Sequence, residues 1–191
     1  MLARGIVCAA GLVSALLVGC ATAPHGIAPV VGASRDAVRT FGIEGRVAVR
    51  QGEQQSSAII SWSHRLTTDS LDVMSPLGQI VARLTREQGL ARLETAERRV
   101  HEADTLDALS EQVFGVALPF SRVADWVLGR FAQGDILRQD AQQRPIEVQA
   151  EGWRLRYLDY EGASPQSLPT LMEFERGDTR VRLKVDQWTL P

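Results

Sequence analysis

Between residues 179 and 187 the chain alternates strictly, with Val181, Leu183 and Val185 on one parity and Arg180, Arg182, Lys184 and Asp186 on the other. Successive side chains of a strand point to opposite faces, so this segment presents one face to a core and one to water. Trp153, Leu155 and Tyr157 oppose Arg154 and Arg156 in the same way. Such strands build a single antiparallel sheet with one solvated face and need no second packed sheet. The pattern, punctuated by Gly, Pro, Asp or Ser, recurs at 42–50, 56–64, 70–74, 79–86, 90–95 and weakly at 98–101, then again at 146–150, 153–160 and 170–175. About ten strands in one sheet curl under their natural right-handed twist.

Two helices interrupt the strands. The first is expected over 105–114, with Asp104 as candidate N-cap, Leu106, Leu109 and Val113 on one stripe, and Gly115 as its stop. The second starts near Pro119, gathers Phe120, Val123, Ala124, Val127 and Leu128 on one face, and ends at Gly129. Inserted in mid-sequence, they are placed to cover the concave side. The expected fold is mostly β: an unclosed, curved antiparallel half-barrel with a short α-helical lid over an apolar cavity. Incomplete coverage leaves a pocket for an apolar ligand, whereas complete coverage makes an ordinary core. Periodicity does not choose between these.

The N-terminus reads as an address. One basic residue, Arg4, precedes an apolar run from Gly5 to Val18 that has the length of a signal-peptide core and is short for a membrane span. Residues 1–19 are therefore assigned as a lipoprotein signal peptide, because Leu17-Val18-Gly19-Cys20 resembles the lipobox of bacterial lipoproteins. That resemblance implies cleavage before Cys20 and its conversion into a lipid anchor, where two or three acyl chains hold stably and one does not. The only cysteines are Cys8 and Cys20, so no disulfide framework supports the fold. Ala21, not Asp, follows the cysteine, and by resemblance to the Gram-negative sorting rule this points to the outer membrane, facing the periplasm. Residues 20–40 are assigned to the lipidated cysteine and a flexible, Ala-, Pro- and Gly-rich tether. About 18 such residues reach roughly 23 Å on average and about 60 Å when stretched.

Other chemistry finds little support. A net charge of −2 gives no electrostatic footprint for nucleic acid. No G-x-S-x-G, H-E-x-x-H or Gly-rich phosphate loop occurs, and no cofactor or metal is implied. His25 falls in the tether, while His64 and His101 read as solvated or capping residues; Asp104 and Asp107 read as helix-start charges. The chain is expected not to be an enzyme. Trp62, Trp126, Trp153 and Trp188 suit a core or a cavity wall, with core the commoner use of a buried tryptophan.

Residues 75–78, Ser-Pro-Leu-Gly, suit a tight turn, with Pro fixing φ at its second position and Gly at its fourth. Leu77 is then at a hairpin tip. An exposed leucine forgoes about 1.5–3 kcal/mol of burial, so it either folds back on the barrel or enters another apolar phase.

In order and spacing, several strings resemble the LolB family of outer-membrane lipoprotein receptors. They are the lipobox at Cys20, Phe41 with Gly45-Arg46-Val47-Ala48-Val49, Ser61-Trp62, Ser75-Pro76-Leu77-Gly78, Leu118-Pro119, Trp126-Val127-Leu128-Gly129, Gly152-Trp153 with Tyr157 and Tyr160, Leu168-Pro169, and Trp188. The resemblance implies a half-barrel domain over 41–191 that accepts lipoproteins from the periplasmic carrier LolA and inserts them into the inner leaflet of the outer membrane. It implies a hydrophobic cavity for the acyl chains of cargo, and a membrane-insertion loop at Pro76, Leu77 and Gly78 that meets outer-membrane lipid. Cavity or lid positions are assigned to Ile60, Trp62, Leu71, Val73, Ile80, Leu84, Trp126 and Trp153, in a protein expected to be a monomer. Arg130-Phe131-Ala132 stands where many relatives have an early proline, so the exit from the lid is expected to differ. Two alternatives remain: a module of the same fold that carries phospholipid or another amphiphile, and a structural envelope lipoprotein without a cavity.

Overall fold

The computed structural model describes residues 34–114 and 118–191. The signal-peptide segment, Cys20, the tether up to residue 33, and Gly115 lie outside the described residues. Among the described residues eleven antiparallel strands form one sheet. They are β1 (Phe41–Gln51), β2 (Gln54–His64), β3 (Asp69–Met74), β4 (Ile80–Glu87), β5 (Leu90–Thr95) and β6 (Val100–Ala103). Two helices follow, α1 (Leu106–Phe114) and α2 (Phe120–Val127). The sheet is then completed by β7 (Ile136–Gln139), β8 (Pro145–Ala150), β9 (Trp153–Tyr160), β10 (Pro169–Arg176) and β11 (Thr179–Thr189).

The strand order, β6-β5-β4-β3-β2-β1-β11-β10-β9-β8-β7, explains the lid. First and last strands pair at the centre, and β6 and β7 are the two free edges. The chain therefore leaves the sheet at one edge and returns at the other. Everything between must cross a face, and the amphipathic helices bury their apolar sides by crossing the concave one.

Register carries an apolar row across that face. Val47 lies opposite Ala58 and Leu183, Ile60 opposite Val73, Trp62 opposite Leu71, Leu71 opposite Leu84, Leu84 opposite Leu93, and Leu155 opposite Phe174 and Val148. The convex face carries ion pairs such as Arg46–Asp186, Arg83–Asp72 and Arg92–Glu102. Exposed pairs of this kind contribute little stability, and their service is to keep the face wet. The central seam is tightened at Gly45, where the β1–β11 register slips by one residue. A Cβ there would sit 2.3 Å from the Lys184 carbonyl oxygen, so only glycine allows the two strands to approach.

Local details differ from the expectations. Strand β7 was not anticipated: it is a four-residue edge strand with two register irregularities against β8, too short to display a period. Asp104 does not cap α1; the Ala108 amide donates to Thr105 Oγ1 at 3.1 Å, one residue later. Asp107 stands in the first turn of α1, as expected of a helix-start charge, and also accepts from the Ser121 amide and hydroxyl, each at 3.1 Å, which ties α1 to the orphan donors at the start of α2.

The folded body also begins before residue 41. Arg35–Ala37 form a 3-10 turn, Val38 is buried in the core, and Gln166 Oε1 accepts from the Ser34 hydroxyl and the Arg35 amide. Arg130 holds this segment from the far side of the lid, donating to the Val38 carbonyl at 2.6 Å and to Asp125 Oδ1 at 2.5 Å. The departure at Arg130 thus fastens the lid exit to the entry of β1. No local pattern announces a contact between residues so far apart in sequence.

Candidate functional site

The concave face is not one continuous core. Trp126 and Val127 of α2 pack with Trp153, Leu155, Met172 and Phe174 of the sheet into one cluster, and Leu106 and Leu109 of α1 form another with Ala91 and Leu93. Between them Val47, Leu71, Val73, Ala82, Leu84, Leu118 and Val123 are only half-buried. Each helix shields the strands beneath it, and the strip between remains partly accessible. Ligand sites are concave and mostly apolar, and this strip has that character.

The residues expected in the cavity divide accordingly. Leu71, Val73 and Leu84 lie along the half-buried strip, and Ile60 and Trp62 are buried beside it. Trp126 stands on the lid helix α2 and packs its ring 6.4 Å from that of Trp153 on β9, so both are closed core, Trp153 being 1% exposed. That packing is pinned by the Tyr157 hydroxyl, which donates to the Trp126 carbonyl at 2.6 Å; burial holds the Tyr157 phenol well above its ordinary pKa. Ile80 has the sequence parity of Ala82 and Leu84 but is 45% exposed, since a register shift between the Val73–Ala82 and Met74–Ile80 pairs breaks the alternation and sets it opposite Met74 at the rim.

The turn at 75–78 has the anticipated form. The Gly78 amide donates to the Ser75 carbonyl and the Ser75 amide to the Gln79 carbonyl, both at 2.8 Å. Gly78 has φ +79°, a conformation that glycine adopts without cost. Leu77 stands at the tip and is 87% exposed, so it does not fold back on its own hairpin. Ile80 and Val81 continue the exposed apolar edge.

A family model described as outer membrane lipoprotein LolB matches residues 39–188. A protein of Azoarcus sp. (strain BH72) named outer-membrane lipoprotein LolB is 40% identical over 187 residues, covering 97% of this chain and 94% of its own length. The chain belongs to the LolB family. A LolB of Dechloromonas aromatica (strain RCB) is 35% identical over 183 residues, covering 93% of this chain and 94% of its own length. Family membership makes this an outer-membrane lipoprotein. Among solved structures, a LolA superfamily protein of Nitrosomonas europaea is similar with a TM-score of 0.50 at 9% identity, covering 81% of this chain and 87% of its own. The LolB chain and that protein share a fold.

This LolB chain also holds a polar node that pattern reading overlooked. Asp69, at the start of β3, is 8% exposed. It accepts from Trp62 Nε1 at 3.0 Å and from Arg86 Nε at 2.7 Å, and its Oδ1 lies 2.7 Å from His64 Nδ1. Burial pushes the Asp69 carboxyl up, but the hydrogen bonds from His64, Arg86 and Trp62 outweigh it and hold the group below the usual carboxylate range. His64 is thus a half-buried partner of Asp69 rather than a solvated residue. The available signal was the cross-strand pairing of His64 with Asp69 about a four-residue turn, which appears only once the register is known. Among the described residues no three His, Cys, Asp or Glu side chains group as a metal site, and no helix is long and apolar enough to cross a membrane.

Proposed function

We propose that this chain is the outer-membrane receptor that accepts lipoproteins from the periplasmic carrier LolA and inserts them into the inner leaflet of the outer membrane. The observation that carries the reading is the half-buried apolar strip between the two clusters, supported by membership of the LolB family. Acyl chains taken from a carrier lie along Leu71, Val73 and Leu84 with Trp62 beside them, sheltered by the helices.

No nucleotide or catalytic group is needed. Moving chains between two apolar cavities exchanges similar burial for similar burial, so a preference of about 1.4 kcal/mol biases each hand-over tenfold. Final burial of the cargo's chains in the bilayer draws the sequence forward at about 0.8 kcal/mol per CH₂. Cys20 is the anchor, the residues after it the tether, and Pro76-Leu77-Gly78 the loop that enters lipid. Leu77 gains in the bilayer the burial it forgoes in water.

The test is transfer of a radiolabelled lipoprotein from purified LolA to the full lipidated chain in liposomes. Incorporation of cargo that depends on the chain supports the receptor, with a fluorescent fatty-acid analogue displaced as cargo binds. Absence of both fatty-acid binding and transfer overturns it.

A further inference from the structure

A cleft of about 1010 Å³ opens at the end of the sheet opposite Leu77. Its margins are Leu66 in the β2–β3 turn, Gly89 in the β4–β5 turn, the start of α1, and α2 with the segment that follows. Leu106 and Phe120 reach it from the cluster under α1, and Ala124 and Phe131 from the cluster under α2. The cleft therefore lies at the seam where the half-buried strip begins.

Its walls are polar in both senses. Arg86 engages Asp69 through Nε and Nη2, leaving Nη1 without a partner among the described residues, and His64 Nε2 is equally unengaged. Arg39 adds a guanidinium, and the carboxylates of Asp36 and Asp104 accept no hydrogen bond among the described residues. A purely hydrocarbon ligand would strip water from these groups and return no hydrogen bonds, which is unfavourable for each of them.

We propose that this cleft seats the polar end of an acylated polypeptide, namely the lipidated cysteine with its ester and amide groups and the first peptide units. The inference rests on the receptor reading and adds an orientation to it. Ester and amide carbonyls meet Arg86 and Arg39, and peptide N–H groups meet Asp36 and Asp104. The acyl chains run along β3 toward the Leu77 end. Six-residue β3 separates the Asp69 node from that end by about 17 Å, a path that a fatty chain follows in extended form. The cargo's folded part stays on the side away from the lipid-facing tip, so the chains lead into the bilayer.

The test places a benzophenone amino acid at Leu66 or at Ile80, both exposed, in the otherwise intact chain. The probe is a synthetic triacylated cysteinyl peptide biotinylated at its C-terminus. Crosslinking to the peptide at least tenfold stronger at position 66 than at position 80 is the expected result. Equal labelling, or stronger labelling at 80, overturns the orientation while leaving the receptor reading intact, provided the probe displaces a fluorescent fatty acid. Loss of the signal at 66 to an equal concentration of phosphatidylglycerol assigns the cleft to a lipid headgroup and overturns the proposal. If neither probe nor fatty acid binds, the receptor reading falls and takes this inference with it.

Discussion

At the Leu77 end of β3 a leucine stands almost wholly in water, while at the other end a carboxylate, Asp69, is almost wholly out of it. Both reverse the ordinary placement of their side chains. The difference is in what answers them. Asp69 has three partners within the chain, Trp62, His64 and Arg86, which offset the cost of burying its charge. Leu77 has no apolar cover within the described chain. Stability is invested at the first end, and an outside partner is awaited at the second.

The largest effect that bears on this contrast is expected from Asp69→Ala. It leaves a guanidinium, an imidazole and an indole N–H facing one another without the carboxylate, and urea denaturation should show a loss of about 3–5 kcal/mol. A loss below about 1 kcal/mol would mean that the node is ornamental and the contrast false.

Next comes Leu77→Glu. Stability should change by no more than about 0.5 kcal/mol, because nothing in the fold packs on the side chain. Cargo incorporation into liposomes should drop by about tenfold or more while fatty-acid binding persists. Unchanged incorporation would remove the lipid-entering role of the tip.

A smaller effect is expected midway between the two ends. Val73→Ser removes half-buried apolar surface from the strip and should cost about 1 kcal/mol in stability, with fluorescent fatty-acid affinity weakened several-fold. Equal affinity in the variant would place the ligand elsewhere.

The smallest effect concerns pH. Asp69 titrates below its ordinary value of 3.8 in the folded chain, so the stability it contributes is present above that value and is lost as pH falls through the folded one. The wild-type acid limb, followed by thermal denaturation from about pH 5 downward, should therefore be steeper than that of Asp69→Asn. Parallel limbs would show that the carboxylate is not held in its charged form.

Much of the architecture is legible in the amino-acid sequence. The alternation at 179–187 and 153–157 placed β11 and β9, and the apolar stripes of Leu106 and Leu109 and of Ala124 and Val127 placed the helices with their buried faces. The turn at 75–78 followed from proline and glycine chemistry alone. What escaped is equally specific. Strand β7 carries too few residues for a period, Val38 joins the core through Arg130, and the Asp69 node gathers residues 62, 64, 69 and 86 from three strands. Ile80 has the right sequence parity for the cavity, yet stands on the rim because a bulge between it and Ala82 breaks the alternation.

The sequence by itself determined the single sheet, the two amphipathic helices and the leucine at a hairpin tip, because each is set by neighbours a few residues apart through side-chain period and backbone sterics. Only the tertiary structure decided that the apolar face divides into two clusters with an accessible strip between them, and that a polar cleft lies opposite Leu77. Those features arise where strand register and the crossing from β6 to β7 bring distant residues together, and no short-range pattern encodes that meeting.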